Sequence, residues 1–117
     1  AQQLYADLLG LPNEEAGQND QMRWLFVTIG ESDIEFLEPL DPKGAVGRFL
    51  ARNGEGVHHV AFETDDIEGD LRHLKERGVR LINEKPNPGA HGSRIAFLHP
   101  KSCNGVLVEL VEPARGL

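Results

Sequence analysis

Apolar residues in this chain alternate between helical stripes and short strand-like runs. Leu4, Leu8 and Leu11 recur at helical spacing, with Tyr5 and Leu9 beside them, until Gly10 and Pro12 stop the pattern. This predicts a helix over 1–9 whose beginning lies before the chain. Residues 13–20 are polar and read as turn-forming. Residues 22–29 and 33–37 are apolar runs around Gly30-Glu31-Ser32, which predicts a hairpin. Asp41 and Pro42 offer an N-cap and a first-turn proline to a short helix that carries Val46, Phe49 and Leu50 and ends at Asn53-Gly54.

The second half opens with a strand over about 57–63, Gly56-Val57-His58-His59-Val60-Ala61-Phe62-Glu63. Asp65 or Asp66 caps a longer helix in which Ile67, Leu71 and Leu74 form one stripe, and Gly78 closes it. That stripe is expected to pack on the face bearing Val60 and Phe62. Strands follow at 79–82, 94–98 and 106–111. A loop with Pro86, Pro88, Gly89 and Gly92 separates the first two, and Asn104-Gly105 turns the chain between the last two. Residues 113–117 read as a tail.

The two halves repeat each other. Ile34-Glu35-Phe36-Leu37-Glu38-Pro39 returns as Val108-Glu109-Leu110-Val111-Glu112-Pro113, 74 residues on. Arg23-Trp24-Leu25-Phe26-Val27 returns as Arg94-Ile95-Ala96-Phe97-Leu98 at an offset of 71, and Leu9-Gly10-Leu11 as Arg77-Gly78-Val79 at 68. Slowly drifting offsets in constant order are what loop-length change between two copies produces. The fold expected is therefore α+β, with module one over about 1–54 and module two over about 55–113 of a single domain. His59 precedes Gly78 by 19 residues, and the same step back from Gly10 falls before Ala1. The opening strand of module one is expected to be missing from this chain.

Composition narrows the function. A formal net charge of −7 disfavours nucleic acid and anionic membranes as partners. No run of about 18 apolar residues is present to span a bilayer. Cys103 is the only cysteine, which rules out an internal disulfide and suits a reducing compartment.

The chemistry lies where alternation is interrupted by charge. Alternation places Glu35 opposite Ile34 and Phe36, and Glu109 opposite Val108 and Leu110. It also sends His58 and His59 to opposite faces, His58 with Val60 and Phe62. Glu35, Glu109 and His59 then share the face turned away from the helices. Two carboxylates and an imidazole suit Co²⁺, Mn²⁺, Ni²⁺ or Zn²⁺. The alternative is that the glutamates are solvated residues on an open sheet face, common in antiparallel sheets.

Gly56-Val57-His58-His59-Val60-Ala61-Phe62 with Asp65-Asp66-Ile67 resembles the methylmalonyl-CoA epimerase family of the vicinal-oxygen-chelate superfamily. So does Phe97-Leu98-His99-Pro100-Lys101-Ser102 with Gly105-Val106-Leu107-Val108-Glu109-Leu110. Ile34 to Leu40 and Gly89-Ala90-His91-Gly92 are similar too, and the likeness runs from Leu4 to Glu112. It implies paired βαβββ modules forming a metal-binding cup, with Glu35, His59 and Glu109 as ligands. Glu35 stands where relatives have Gln or Glu, and His58 becomes the non-ligand neighbour. The family's first ligand, a histidine on the opening strand, has no counterpart here.

The resemblance further implies a cobalt-type divalent ion, an acyl-CoA substrate, a homodimer, and a cytoplasmic location (mitochondrial matrix in a eukaryote). The reaction implied is epimerisation at C2 through an enolate, with Glu109 as one acid–base group. His91 could contact substrate but reads first as a surface loop histidine; Arg94 and Lys101 could meet the anionic CoA, and each reads equally well as a solvated charge. Two other activities use the same fold: a glyoxalase-type lactoylglutathione lyase, and a metal-free small-molecule binding protein.

Overall fold

The computed structural model describes residues 3–114. The chain divides into two compact units, Ala1–Gly56 and Val57–Leu117. Among the described residues they hold two α-helices and two sheets, an α+β fold.

In the first unit Gln3–Leu8 is helical, as the spacing predicts, but in the wider π form, and the Leu9 N–H reaches back to Leu4. The polar stretch expected to be turns is instead strand β1, Asn13–Gln18, antiparallel to β2, Met22–Ile29. Two local features explain the difference. The Asn19 side chain accepts the N–H groups of Gln21 and Met22, confining the turn to three residues. Gly17 lets the Trp24 indole lie against the β1 backbone, where a Cβ would sit 2.6 Å from the ring. Strand β3, Ser32–Pro39, completes the predicted hairpin and the sheet order β1-β2-β3.

Helix α1, Ala45–Asn53, begins one turn later than the Asp41-Pro42 signal suggests. The Asp41 carboxylate accepts the Lys43 N–H and its carbonyl the Gly44 N–H, which spends the capping groups on a preceding turn. Gly47 then lies against that turn, where a Cβ would be 2.5 Å from the Asp41 carbonyl.

In the second unit β4, Val60–Glu63, runs parallel to β7, Val108–Glu112, within the order β4-β7-β6-β5. Strand β5 is Asn87–Pro88 and β6 is Arg94–Leu98. Helix α2, Ile67–Glu76, is capped by Asp66, whose carboxylate accepts the Gly69 N–H. Glu112 of β7 accepts the Ile67 N–H with one oxygen and Arg94 with the other, tying the helix start to the sheet. At the far end Gly78 adopts φ 85°, and the N–H groups of Gly78 and Val79 close onto Lys75 and Leu74.

The stripe Ile67, Leu71 and Leu74 packs on Ala96, Leu98 and Leu110. Val60 and Phe62 pair in register with Val108 and Leu110, so they lie on the same sheet face. As members of an edge strand they nevertheless remain 40% and 56% exposed. Leu71 is 2% exposed. Leu71→Ala is therefore expected to cost about 2–5 kcal/mol in chemical denaturation. An unchanged midpoint would remove this helix face from the core.

The strand expected at 79–82 is reduced to one bridge, Leu81 with Leu98. The Ile82 and Asn83 N–H groups both converge on the Phe97 carbonyl, which interrupts the ladder. The following loop contains β5 and a short 3₁₀ turn in which His91 adopts φ 57°. Asn104 and Gly105 both adopt positive φ, as their turn signal predicts. Of the expected tail, residues 115–117 lie outside the described residues.

The offsets of the sequence repeat recur as strand register. Arg23, Trp24, Leu25, Phe26 and Val27 face Glu38, Leu37, Phe36, Glu35 and Ile34. Their counterparts Arg94, Ile95, Ala96, Phe97 and Leu98 face Glu112, Val111, Leu110, Glu109 and Val108. Even the ion pair recurs, Arg23 with Glu38 at 3.8 Å and Arg94 with Glu112 at 2.7 Å.

Candidate functional site

Strand alternation decides where the glutamates point. In the first unit Val27 is buried and pairs with Ile34, so Glu35 lies on the opposite face with its partner Phe26. In the second unit Leu110 faces the core, so Glu109 lies on the opposite face with its partner Phe97.

His59 precedes β4 by one residue and falls on the Glu109 face. Its Nε2 is 3.4 Å from Glu109 Oε1, and the two side chains are 17% and 13% exposed. Its ring also meets Phe97 edge-on, with centroids 5.6 Å apart. Two of the three expected ligands are thus brought together within one unit, while Glu35 stands on β3 of the other. Among the described residues no group of three or more His, Cys, Asp or Glu side chains gathers to hold a metal ion.

The expectation that His58 and His59 point to opposite faces is corrected. His58 Nδ1 lies 2.8 Å from His59 Nδ1, and the rings meet edge to face at 5.1 Å. Alternation applies only from Val60, where pairing with β7 begins, and the two histidines precede it. Burial first, and then neighbouring His59, holds the His58 imidazole below its ordinary range, against the opposing pull of Glu109. The Nδ1–Nδ1 contact is one hydrogen bond in which either ring can be the donor. With His59 Nδ1–H as the donor, the His59 Nε2 lone pair is free for an ion beside Glu109; with the roles reversed, Nε2–H donates to the Glu109 carboxylate.

The pair fits a divalent ion. One imidazole nitrogen and one carboxylate oxygen form a donor set of intermediate hardness. Two ligands about 2.1 Å from a common ion are about 3.0–3.4 Å apart at 90–110°, and the observed separation is 3.4 Å.

The remaining candidates are placed elsewhere. Arg94 is engaged by Glu112 and, at 3.5 Å, by Glu68, so its first role is structural. The hydrogen bond to Glu112 holds its pKa above the ordinary value. Lys101 is exposed beside His99, whose Nδ1 accepts the Lys101 N–H. His91 sits in the 3₁₀ turn after β5. Sequence reasoning missed Phe97 as a wall of the site, although the Phe26–Phe97 match in the repeat was the available signal.

A family model described as Glyoxalase/Bleomycin resistance protein/Dioxygenase superfamily matches residues 1–97. The mitochondrial methylmalonyl-CoA epimerase of Dictyostelium discoideum is 45% identical over 89 residues, 75% of this chain and 54% of that protein. The chain therefore spans about half the length of that relative. An ethylmalonyl-CoA/methylmalonyl-CoA epimerase of Cereibacter sphaeroides is 38% identical over 104 residues, 87% of this chain and 76% of the relative. Among solved structures, a Streptomyces coelicolor methylmalonyl-CoA epimerase variant in complex with 2-nitronate-propionyl-CoA superposes with a TM-score of 0.86. It is 39% identical, with 96% of this chain and 83% of the other covered.

Proposed function

The chain belongs to the Glyoxalase/Bleomycin resistance protein/Dioxygenase superfamily and, within it, to the methylmalonyl-CoA epimerases, and we propose that it inverts C2 of methylmalonyl-CoA. The observation that supports the proposal is the His59–Glu109 pair, 3.4 Å apart. Glu35, at the matching position of the first repeat, is the third metal ligand in this reading. A cobalt-type divalent ion suits the donor set, with Mn²⁺, Ni²⁺ or Zn²⁺ as substitutes.

The C2 hydrogen of the substrate lies between a thioester and a carboxylate, which makes it acidic. Glu109 takes that proton onto a carboxylate oxygen. The C–H electron pair moves toward the thioester oxygen, giving an enolate. Inversion then requires a proton delivered to the opposite face by a second acid. A bound divalent ion supplies Lewis-acid stabilisation of the negative charge that develops. His59, in contact with His58, would hold the ion through its Nε2, and the Phe97 ring lies edge-on against the His59 ring. In this reading the protein works as a homodimer. Its single Cys103 suits a reducing compartment such as the cytoplasm, and among the described residues no helix is long and apolar enough to cross a membrane.

The test is C2 proton exchange of methylmalonyl-CoA in heavy water, followed by NMR with added Co²⁺. Deuterium should enter C2 at a protein-dependent rate. Turnover of a glutathione hemithioacetal with no C2 exchange would favour the lactoylglutathione lyase. Neither activity, with no metal retained, would favour a binding protein.

A further inference from the structure

The ring of His59 meets His58, Glu109 and Phe97. Of these, Phe97 has no acid–base or ligand chemistry, so its contribution is position. Phe97 is itself gripped from the outer side of β6. Its N–H donates to Asn83 Oδ1 at 2.9 Å. Its carbonyl accepts the Ile82 and Asn83 N–H groups at 2.9 and 3.2 Å. Both main-chain polar groups of Phe97 are thus turned away from β7.

The consequence for the site is geometric. Phe97 and Glu109 are directly opposed in the antiparallel β6–β7 ladder. With the Phe97 groups engaged outward, this is a non-hydrogen-bonded pair, the type in which facing side chains approach more closely. The interrupted ladder after Leu81 leaves the Phe97 N–H without a main-chain acceptor on that side, and the Asn83 amide oxygen takes that place. Asn83 therefore fixes the β6 residue whose ring abuts His59 and whose strand partner is Glu109.

We infer that Asn83 is a positioning residue for the His59–Glu109 pair, acting through Phe97. The inference rests on the reading of that pair as the reactive centre. A shift of about 1 Å in such a pair is enough to cost on the order of 10²-fold in rate.

The test compares Asn83→Leu, Asn83→Asp and Phe97→Leu in the intact chain. Leucine has the shape of asparagine without its acceptor, aspartate keeps the acceptor, and Phe97→Leu keeps every backbone bond. The first readout is the imidazole ¹⁵N shifts of His59 in metal-free protein at one fixed pH. They should move in Asn83→Leu and Phe97→Leu and stay at wild-type values in Asn83→Asp. The second is Co²⁺ affinity by calorimetry, expected to weaken about tenfold in the same two variants. Unchanged His59 shifts in folded Asn83→Leu would overturn the inference. Should that variant fail to fold, unchanged shifts in Phe97→Leu would do the same. If wild-type protein binds no Co²⁺, the metal-centre reading fails, while the ¹⁵N shifts still decide whether Asn83 and Phe97 hold the ring.

Discussion

His59→Ala is expected to abolish divalent-ion binding, and His58→Ala to weaken it by about tenfold. The first effect follows from geometry, because His59 Nε2 is the nitrogen facing Glu109, at 3.4 Å. The second follows from the 2.8 Å contact between the two Nδ1 atoms. A metal-binding Nε2 must carry a lone pair, so His59 Nδ1 must carry the proton, and His58 accepts it. Removing His58 frees the ring to rotate and to populate the other tautomer. Calorimetric titration with Co²⁺ or Zn²⁺, alongside a melting curve for each variant, separates the cases. Wild-type affinity in His59→Ala would remove that residue from the site. Loss in His58→Ala alone would exchange the roles of the two histidines.

Much of this arrangement is legible in the residue order. Period-two alternation around Ile34 and Phe36, and around Val108 and Leu110, places both glutamates on the face away from the core before any coordinates exist. The repeat offsets go further, since they reappear as the register of β2 on β3 and of β6 on β7. The stripe of α2 and its Gly78 closure are equally plain, because a buried stripe and a left-handed residue leave few alternatives.

Three failures share a cause: side chains that replace main-chain partners. Asn19 folds its amide over the turn and makes a hairpin from a polar stretch. Asp41 spends its cap on the wrong turn. Asn83 stands in for a ladder acceptor and shortens a strand to a bridge. Each is a side-chain bond between residues of ordinary identity, and periodicity carries no trace of it. The His58–His59 contact has a different cause. Alternation is a property of paired strand, and pairing begins at Val60, two residues too late to separate the two rings.

Glu109→Gln is expected to slow C2 proton exchange by about 10²–10⁴-fold, the range carried by a positioned acid–base group. Its effect on Co²⁺ affinity should be much smaller, since glutamine keeps an oxygen donor at the same reach. Glutamine cannot accept a proton at neutral pH, so the substitution separates base from ligand. Glu35→Gln is the matched control, at the equivalent repeat position opposite Phe26 as Glu109 is opposite Phe97. The sequence resemblance assigns Gln or Glu to that position, so the control should retain most of the exchange rate. Exchange followed by NMR in heavy water, at saturating Co²⁺, compares the two directly. Equal slowing by both would make each glutamate a ligand and place the base elsewhere. Selective slowing by Glu109→Gln, with the ion still bound, would assign the proton to one carboxylate of an otherwise matched pair.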